Sequence, residues 1–245
     1  MIRLAISAAC LCAVPALAEE TVPKLGPNAV PVTADTGYLR SHPAPDYWAF
    51  APFVRPQFTN SACTVAAVAG ALGGLEGLPP GAEDTILSQP ELLKLTGDDD
   101  WVRVTRQDGD GATFEQFVAF TDKAIKALDL PYALATFHPA ATDAAAGAEM
   151  RRLLEANEVS ADDALIVVFN QGVVTGDWDG PHASVIGAYD KERDRVLVLE
   201  VDQEWYVPYW TPAEVLLDAL VKPAPADQGV LAGMTGGFLH ITKGD

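Results

Sequence analysis

Cysteine, positive charge, histidine and long apolar runs are all in short supply in this sequence. Its 245 residues hold 16 Lys and Arg against 34 Asp and Glu, a formal net charge of −18. Such a surface repels polynucleotides and anionic lipid, which argues against nucleic-acid or electrostatic membrane binding. It also repels small anions at long range, so an acidic substrate would need a local basic pocket. The longest apolar run, Leu4 to Leu17, has 14 residues, too few to cross a bilayer. Three cysteines, at positions 10, 12 and 63, leave little room for a disulfide framework or a multi-thiolate metal site.

The start of the chain reads as a signal peptide over residues 1–18. Arg3 supplies the positive end, the apolar run follows, and Ala16-Leu17-Ala18 is an A-x-A cleavage signal. The expectation is an exported, soluble protein of a bacterial periplasm. Cleavage removes Cys10 and Cys12, so Cys63 becomes a lone thiol in an oxidising compartment. Lone cysteines are most often buried and inert. One exposed to oxidants is a chemical liability. Its neighbours decide between these.

Residues 19–45 are proline-rich without a sustained period and read as an extended arm. Residues 46–245 read as one domain. Cys63 to Leu72 (CTVAAVAGAL) is a small, apolar helix buried on most sides, with Asn60 and Ser61 as N-cap candidates and Gly73-Gly74 as its end. A second helical stretch covers 83–95, interrupted by Pro90, and 97–111 reads as a loop. Thr113 to Gln116 is a capping box opening a helix to about Leu128, and 143–157 is a weaker, alanine-rich helix. The second half turns to strands at 164–169, 183–189 and 196–201, the last two joined as a hairpin. A capped helix begins near Thr211, and 237–242 closes the chain as a strand. Helices first and an antiparallel sheet second give an α+β class.

Cys63 stands where its helix begins. The positive end of the helix macrodipole and the free N–H groups there favour a thiolate. Acyl transfer needs two donors aimed at the developing oxyanion. The Cys63 N–H can be one, and Gln57, six residues upstream, the other. His182 sits where a loop enters a strand, a rigid mount for a base facing a cleft. His42 and His138 stand beside prolines, and His240 lies inside the last strand, settings that suit structural roles. A third group must orient the imidazole. Glu200 and Asp202 share one strand face, and a simple hairpin register places position 202 opposite His182, so both acids stay open here with Asp202 slightly preferred. Asp98-Asp99-Asp100 and the pair Asp177 and Asp179 read as solvated or helix-capping carboxylates. Trp205, Tyr206, Tyr209 and Trp210 read as core and cleft wall.

At these residues the chain resembles the catalytic domain of the phytochelatin synthases, a papain-like cysteine transpeptidase family. The resemblance begins at Gln57 and Cys63 and is strongest over GPHASVIGAYDKERDRVLVLEVDQEWYVPYW, residues 180–210. There His182, Tyr189, Arg193-Asp194, Tyr206, Pro208 and Trp210 follow the family pattern without a gap. Gly109 to Phe117 and Gly237 to Leu239 also look like family landmarks. The resemblance covers roughly residues 46–242. It implies a papain-like fold, with a helical half carrying the nucleophile and an antiparallel sheet after it. It implies that Cys63 attacks the Cys–Gly amide of glutathione, that His182 protonates the departing glycine, and that a γ-glutamylcysteinyl thioester forms. Water or a second glutathione then accepts the acyl group, the latter giving phytochelatins. The family spacing puts the orienting acid at Glu200, where an aspartate is usual, with Asp202 in reserve.

The chain departs from the family at two further points. Thr64 follows the nucleophile in place of glycine, and Gln203 replaces an arginine. Thr64, Gln203 and Tyr206 are the substrate-binding candidates, and Arg55, Arg103 or Arg106 could supply a replacement cation. No counterpart of the plant members' cysteine-rich C-terminal extension follows the last expected strand. No intrinsic cofactor or protein metal site is expected, and Cd²⁺ or Zn²⁺ would enter as a metal–thiolate form of the substrate, in keeping with a heavy-metal response. The partner is then a small thiol peptide, and the chain is compatible with a homodimer. Two other readings stand beside this one: a periplasmic cysteine peptidase acting on other peptides or cell-wall stems, and an inactive binding module.

Overall fold

Every residue of Ala164–Asn170 is buried. Successive side chains of a strand point to opposite faces, so this strand needs cover on both sides, and the fold supplies it. The computed structural model describes residues 24–244; the expected signal peptide and Cys10 and Cys12 lie outside them. Among the described residues one antiparallel sheet contains β1 (Val30–Pro31), β2 (Tyr132–Phe137), β3 (Ala164–Asn170), β4 (Pro181–Asp190), β5 (Arg195–Leu199), β6 (Tyr209–Pro212) and β7 (Gly237–Lys243). Their order across it is β1-β6-β5-β4-β3-β7-β2. The class is α+β, as the helix-then-strand pattern predicts.

Helices α1 (Gly37–Ser41), α2 (Pro45–Phe50), α3 (Cys63–Glu76), α4 (Gln89–Thr96), α5 (Asp99–Val104) and α6 (Phe114–Ala127) precede most of the sheet in the chain. On one face, Ile166, Val168, Ala183 and Val185 meet Val65, Val68 and Leu72 of α3 in a single core. On the other, Leu165, Val167 and Phe169 meet α7 (Ala144–Asn157) and α9 (Ala213–Val221) through Met150, Leu154, Leu216 and Leu220. A short helix, α8 (Gln171–Thr175), leads out of β3. Helix α3 is buried from Thr64 through Gly73, so the residue at its N-terminus is held by the centre of the domain. None of the helices is long and apolar enough to cross a membrane among the described residues.

Several local expectations are corrected. The segment read as an extended arm is built into the fold: β1 pairs with β6 and α1 buries Tyr38 and Leu39. Its prolines bound elements without preventing them: Pro31 ends β1 and Pro45 opens α2. Asn60 and Ser61 do not cap α3, whose N-cap is Ala62 without a side-chain bond; they bond to another loop instead. That helix runs past Gly73-Gly74 to Glu76, because glycines inside it let α2 and its following turn approach closely. Pro90 begins a helix and does not interrupt one: Ser88 caps α4 with Pro90 in its first turn. The stretch 97–111, read as a loop, holds α5; there Asp98 accepts the Trp101 N–H as the helix-capping reading of the acid run expects. Strand β2 at the sheet edge was read as neither helix nor strand.

Candidate active site

The N-terminus of α3 opens onto a cavity of about 530 Å³, bounded by Cys63, Gln57, His182, Asp177, Tyr206 and Phe114 among others. Volumes of this order suit small ligands. Cys63 is a free, half-buried thiol. Its approach segment is zipped to the loop after α5. Asn60 exchanges two hydrogen bonds with Asp108, one to its carboxylate and one from its N–H, both 2.8 Å. Ser61 Oγ donates to the Gly109 carbonyl at 2.8 Å and Thr59 Oγ1 to the Thr105 carbonyl at 2.6 Å. Asp108 has a φ of 55°, a left-handed backbone that aspartate tolerates better than most residues.

His182 lies on β4, buried, with Nε2 2.6 Å from Glu200 Oε1. With Nε2 so engaged, Nδ1 is left for Cys63, whose sulfur acts on the same ring. Burial works against charge on this ring, yet the Glu200 carboxylate and the Cys63 sulfur outweigh it and hold the imidazolium well above the usual histidine range. Burial likewise opposes charge on Glu200, and is overcome by the imidazolium, the Asp202 N–H and the Tyr209 phenol, which hold its carboxyl below the ordinary value. The Asp202 N–H donates to Glu200 Oε1 at 2.7 Å. The Tyr209 hydroxyl stands near Oε2 without closing a hydrogen bond to it. A thiol, a ring that prefers to be charged and a buried carboxylate form the arrangement needed for nucleophilic attack followed by proton donation.

The choice of Glu200 over Asp202 follows from how the hairpin ends. Val185 pairs with Leu199, and that register continued would bring 202 level with 182. Regular pairing stops at Leu199, however. Ser184 Oγ takes over, accepting from Val201 N–H at 3.2 Å, and the chain turns so that Trp205 and Tyr206 both donate to the Asp202 carbonyl. Glu200 then reaches the ring diagonally, a distance its extra methylene covers. Asp202 lines the cavity, and its carboxylate accepts no hydrogen bond from the described residues.

Gln57 also lines the cavity. Its N–H donates to the Val201 carbonyl at 2.8 Å, tying it to the strand end that carries Glu200. Among the described residues the Gln57 side chain makes no hydrogen bond, and its Oε1 is buried without a partner, so the amide is free of them. Of the substrate-binding candidates, Tyr206 and Thr64 reach the wall and Gln203 does not. Tyr206 donates to Asp177 at 2.8 Å. Thr64 is turned inward and accepts the Trp101 indole N–H at 3.1 Å. Gln203 folds back onto the Glu200 carbonyl at 2.9 Å. None of Arg55, Arg103 and Arg106 lines the cavity; Arg103 pairs with Asp100 at 3.0 Å.

The remaining histidines have their own partners. His138 contacts Thr235, His240 contacts Asp163, and His42 stacks on Tyr38. No group of three or more His, Cys, Asp and Glu among the described residues is placed to hold a metal ion. Two cavity groups escape sequence reasoning. Lys24 sits with Nζ 4.4 Å from the Trp205 ring centroid and 5.1 Å from that of Tyr206. Gln171, in α8, is buried with its Nε2 unpartnered. No local pattern marks either residue, since both reach the cavity through contacts distant in sequence.

The family model described as phytochelatin synthase matches residues 28–229. Among curated proteins, glutathione gamma-glutamylcysteinyltransferase 3 of Lotus japonicus is 41% identical over 84 residues, covering 34% of this chain and 16% of that protein. Glutathione gamma-glutamylcysteinyltransferase 1 of Arabidopsis thaliana is 34% identical over 79 residues, covering 32% of this chain and 15% of that protein. The aligned stretches are thus about one-sixth of the length of these relatives.

Proposed function

This chain belongs to the phytochelatin synthase family, and from that premise we propose that it is a cysteine-nucleophile acyltransferase acting on glutathione. The carrying observation is the buried 2.6 Å contact between His182 and Glu200, with Cys63 on the same ring at the mouth of a helix. The names of its relatives support the substrate.

In this reading Cys63 is a thiolate beside imidazolium. It attacks the carbonyl of the Cys–Gly amide. The C–N bond breaks as His182 gives its proton to the departing glycine nitrogen, leaving a γ-glutamylcysteinyl thioester on Cys63 and a neutral imidazole. That imidazole then takes a proton from the acceptor, water or the amine of a second glutathione, and the acyl group moves to it. The Gln57 amide and the Cys63 N–H stabilise the oxyanion at each tetrahedral stage. Glu200 fixes the ring and its charge. The acyl transfer so written draws on these side chains alone, and Cd²⁺ or Zn²⁺ would act by binding the thiol of the acceptor substrate. A nucleophile heading a buried helix on one side of a sheet, with its histidine on a sheet strand, supports a papain-like reading of the fold. The A-x-A signal at Ala16 to Ala18 supports export to the periplasm.

Incubation with glutathione, with and without Cd²⁺ or Zn²⁺, tests the reading. Free glycine with γ-glutamylcysteine or longer peptides is expected. Absence of glycine from reduced, folded protein would overturn it.

A further inference from the structure

Among the described residues Lys24 is the one lysine or arginine lining the cavity of this strongly acidic protein. It does not dangle there. Gly26 N–H donates to the Thr175 carbonyl at 2.6 Å, and Asn28 Nδ2 donates to the Val173 carbonyl at 3.2 Å, which binds the segment to α8. A Cβ at position 26 would meet that same Thr175 oxygen at 2.5 Å, so the close approach depends on glycine. Leu25 packs against the second core. The ammonium therefore stands over Trp205 and Tyr206, where ring faces favour a cation.

The acid next to it is Asp202. That carboxylate faces the cavity, is half-buried, and accepts no hydrogen bond from the described residues. Among the described residues Lys24 closes no ion pair with Asp202 or Asp177, although its charge acts on both carboxylates. Asp177, by contrast, is fully engaged with Thr175, Trp178 and Tyr206. One wall thus presents a positive group and an uncommitted negative group side by side. The buried Gln171 Nε2, without a partner among the described residues and on the same cavity, is an additional donor that a ligand oxygen would satisfy, since a buried donor left unpaired is costly.

A wall of this kind is complementary to an α-amino acid head, with a carboxylate and an ammonium on one carbon. Resting on the acyltransfer reading above, we propose that Lys24 and Asp202 bracket the free amino-acid head of the γ-glutamyl group, Lys24 with Gln171 taking its carboxylate and Asp202 its ammonium. Asp202, unused by His182, is then a specificity residue. The mature N-terminal segment is part of the substrate site.

Kinetics with three peptides test this: glutathione, 4-aminobutyryl-Cys-Gly, which lacks the α-carboxylate, and glutaryl-Cys-Gly, which lacks the α-amine. Lys24→Met should raise KM for glutathione roughly tenfold to a hundredfold at nearly constant kcat, and leave the peptide without the carboxylate unaffected. Asp202→Asn should do the same for glutathione and spare the peptide without the amine. Equal loss on all three peptides, or no loss on glutathione, would overturn the proposal. So would a Lys24→Met effect that vanishes only when the glycine carboxylate is amidated. Calorimetry of S-methylglutathione on Cys63→Ala separates this from the reaction itself. Binding to Cys63→Ala that depends on Lys24 and Asp202, with no glycine released from glutathione by the parent protein, would refute the acyltransfer and keep the bracket. Turnover indifferent to both residues would do the reverse.

Discussion

Nε2 of His182 lies 2.6 Å from Oε1 of Glu200 in a part of the protein closed to water. The ring sits on β4 and the acid just past the end of β5, two residues out of level, and they meet because β5 stops at Leu199. A buried carboxylate, with His182 the one cation acting on it among the described residues, favours the imidazolium and, by holding Nε2, leaves the second nitrogen for Cys63. Since the fold raises the histidine and lowers the glutamate, the pair's contribution to stability is whole between about pH 4.5 and about pH 6.5. It is lost as pH climbs through the elevated histidine value, and again as pH falls through the depressed glutamate value.

Glu200→Gln keeps the hydrogen-bonding shape and removes the charge. We expect kcat/KM to fall about 10²–10⁴-fold, and the alkaline limb of its pH profile to move to lower pH as the imidazolium loses its support. Asp202→Asn should leave kcat nearly unchanged. Steady-state kinetics across pH check both, and the opposite ranking would reassign the orienting acid.

Gln57 is expected to act on the transition state more than on binding. Gln57→Ala should lower kcat by about 10²–10³-fold with little change in KM. Its backbone bond to Val201 persists in the variant, so circular dichroism should report an unchanged fold. A rise in KM alone would make Gln57 a ground-state contact.

Much of this site is legible along the chain because its parts are local. Cys63 heads a run of small apolar residues, His182 opens a strand, and Glu200 follows at a spacing a hairpin supports. What escapes is whatever depends on elements meeting. Asn60 and Ser61 look like caps, yet their side chains go to Asp108 and Gly109, some 48 residues on. Gln203 looks like a cavity residue by position, but the turn at 202–206 folds it back. The edge strand β2 alternates half-buried and exposed residues only over its first four places, with alanines at 133 and 135, too faint a pattern to mark it. The bulge in β4 at Gly187 is likewise invisible until the partner strand is known.

The nucleophile helix depends on a close approach at Gly74. A Cβ there would overlap the Phe50 ring of α2, and Phe50 is fully buried. Gly74→Ala should destabilise the protein by about 1–3 kcal/mol, read as a lower midpoint in urea. An unchanged or raised midpoint would mean that α2 yields easily.

Asp46 is wholly buried against Asn157. Burial first, then the charges of Glu158 and Asp163, push its carboxyl up to about 9. A folded-state value above the unfolded one means that the fold holds a proton the unfolded chain releases. Its stability contribution is thus whole below about pH 4 and is lost as pH rises through about 9. Asp46→Asn, neutral throughout, should gain stability over the parent as pH increases across that window. Thermal melts at pH 5 and pH 8.5 test this, and a gain no larger at the higher pH would contradict it.

The central claim is that the acyl group passes through Cys63. Rapid acid quench of the enzyme turning over glutathione, followed by intact-protein mass spectrometry, reads this directly. The account predicts one γ-glutamylcysteinyl group on Cys63, labile to hydroxylamine, absent from Cys63→Ser, and formed together with free glycine. Glycine release at an undiminished rate from Cys63→Ala would contradict it.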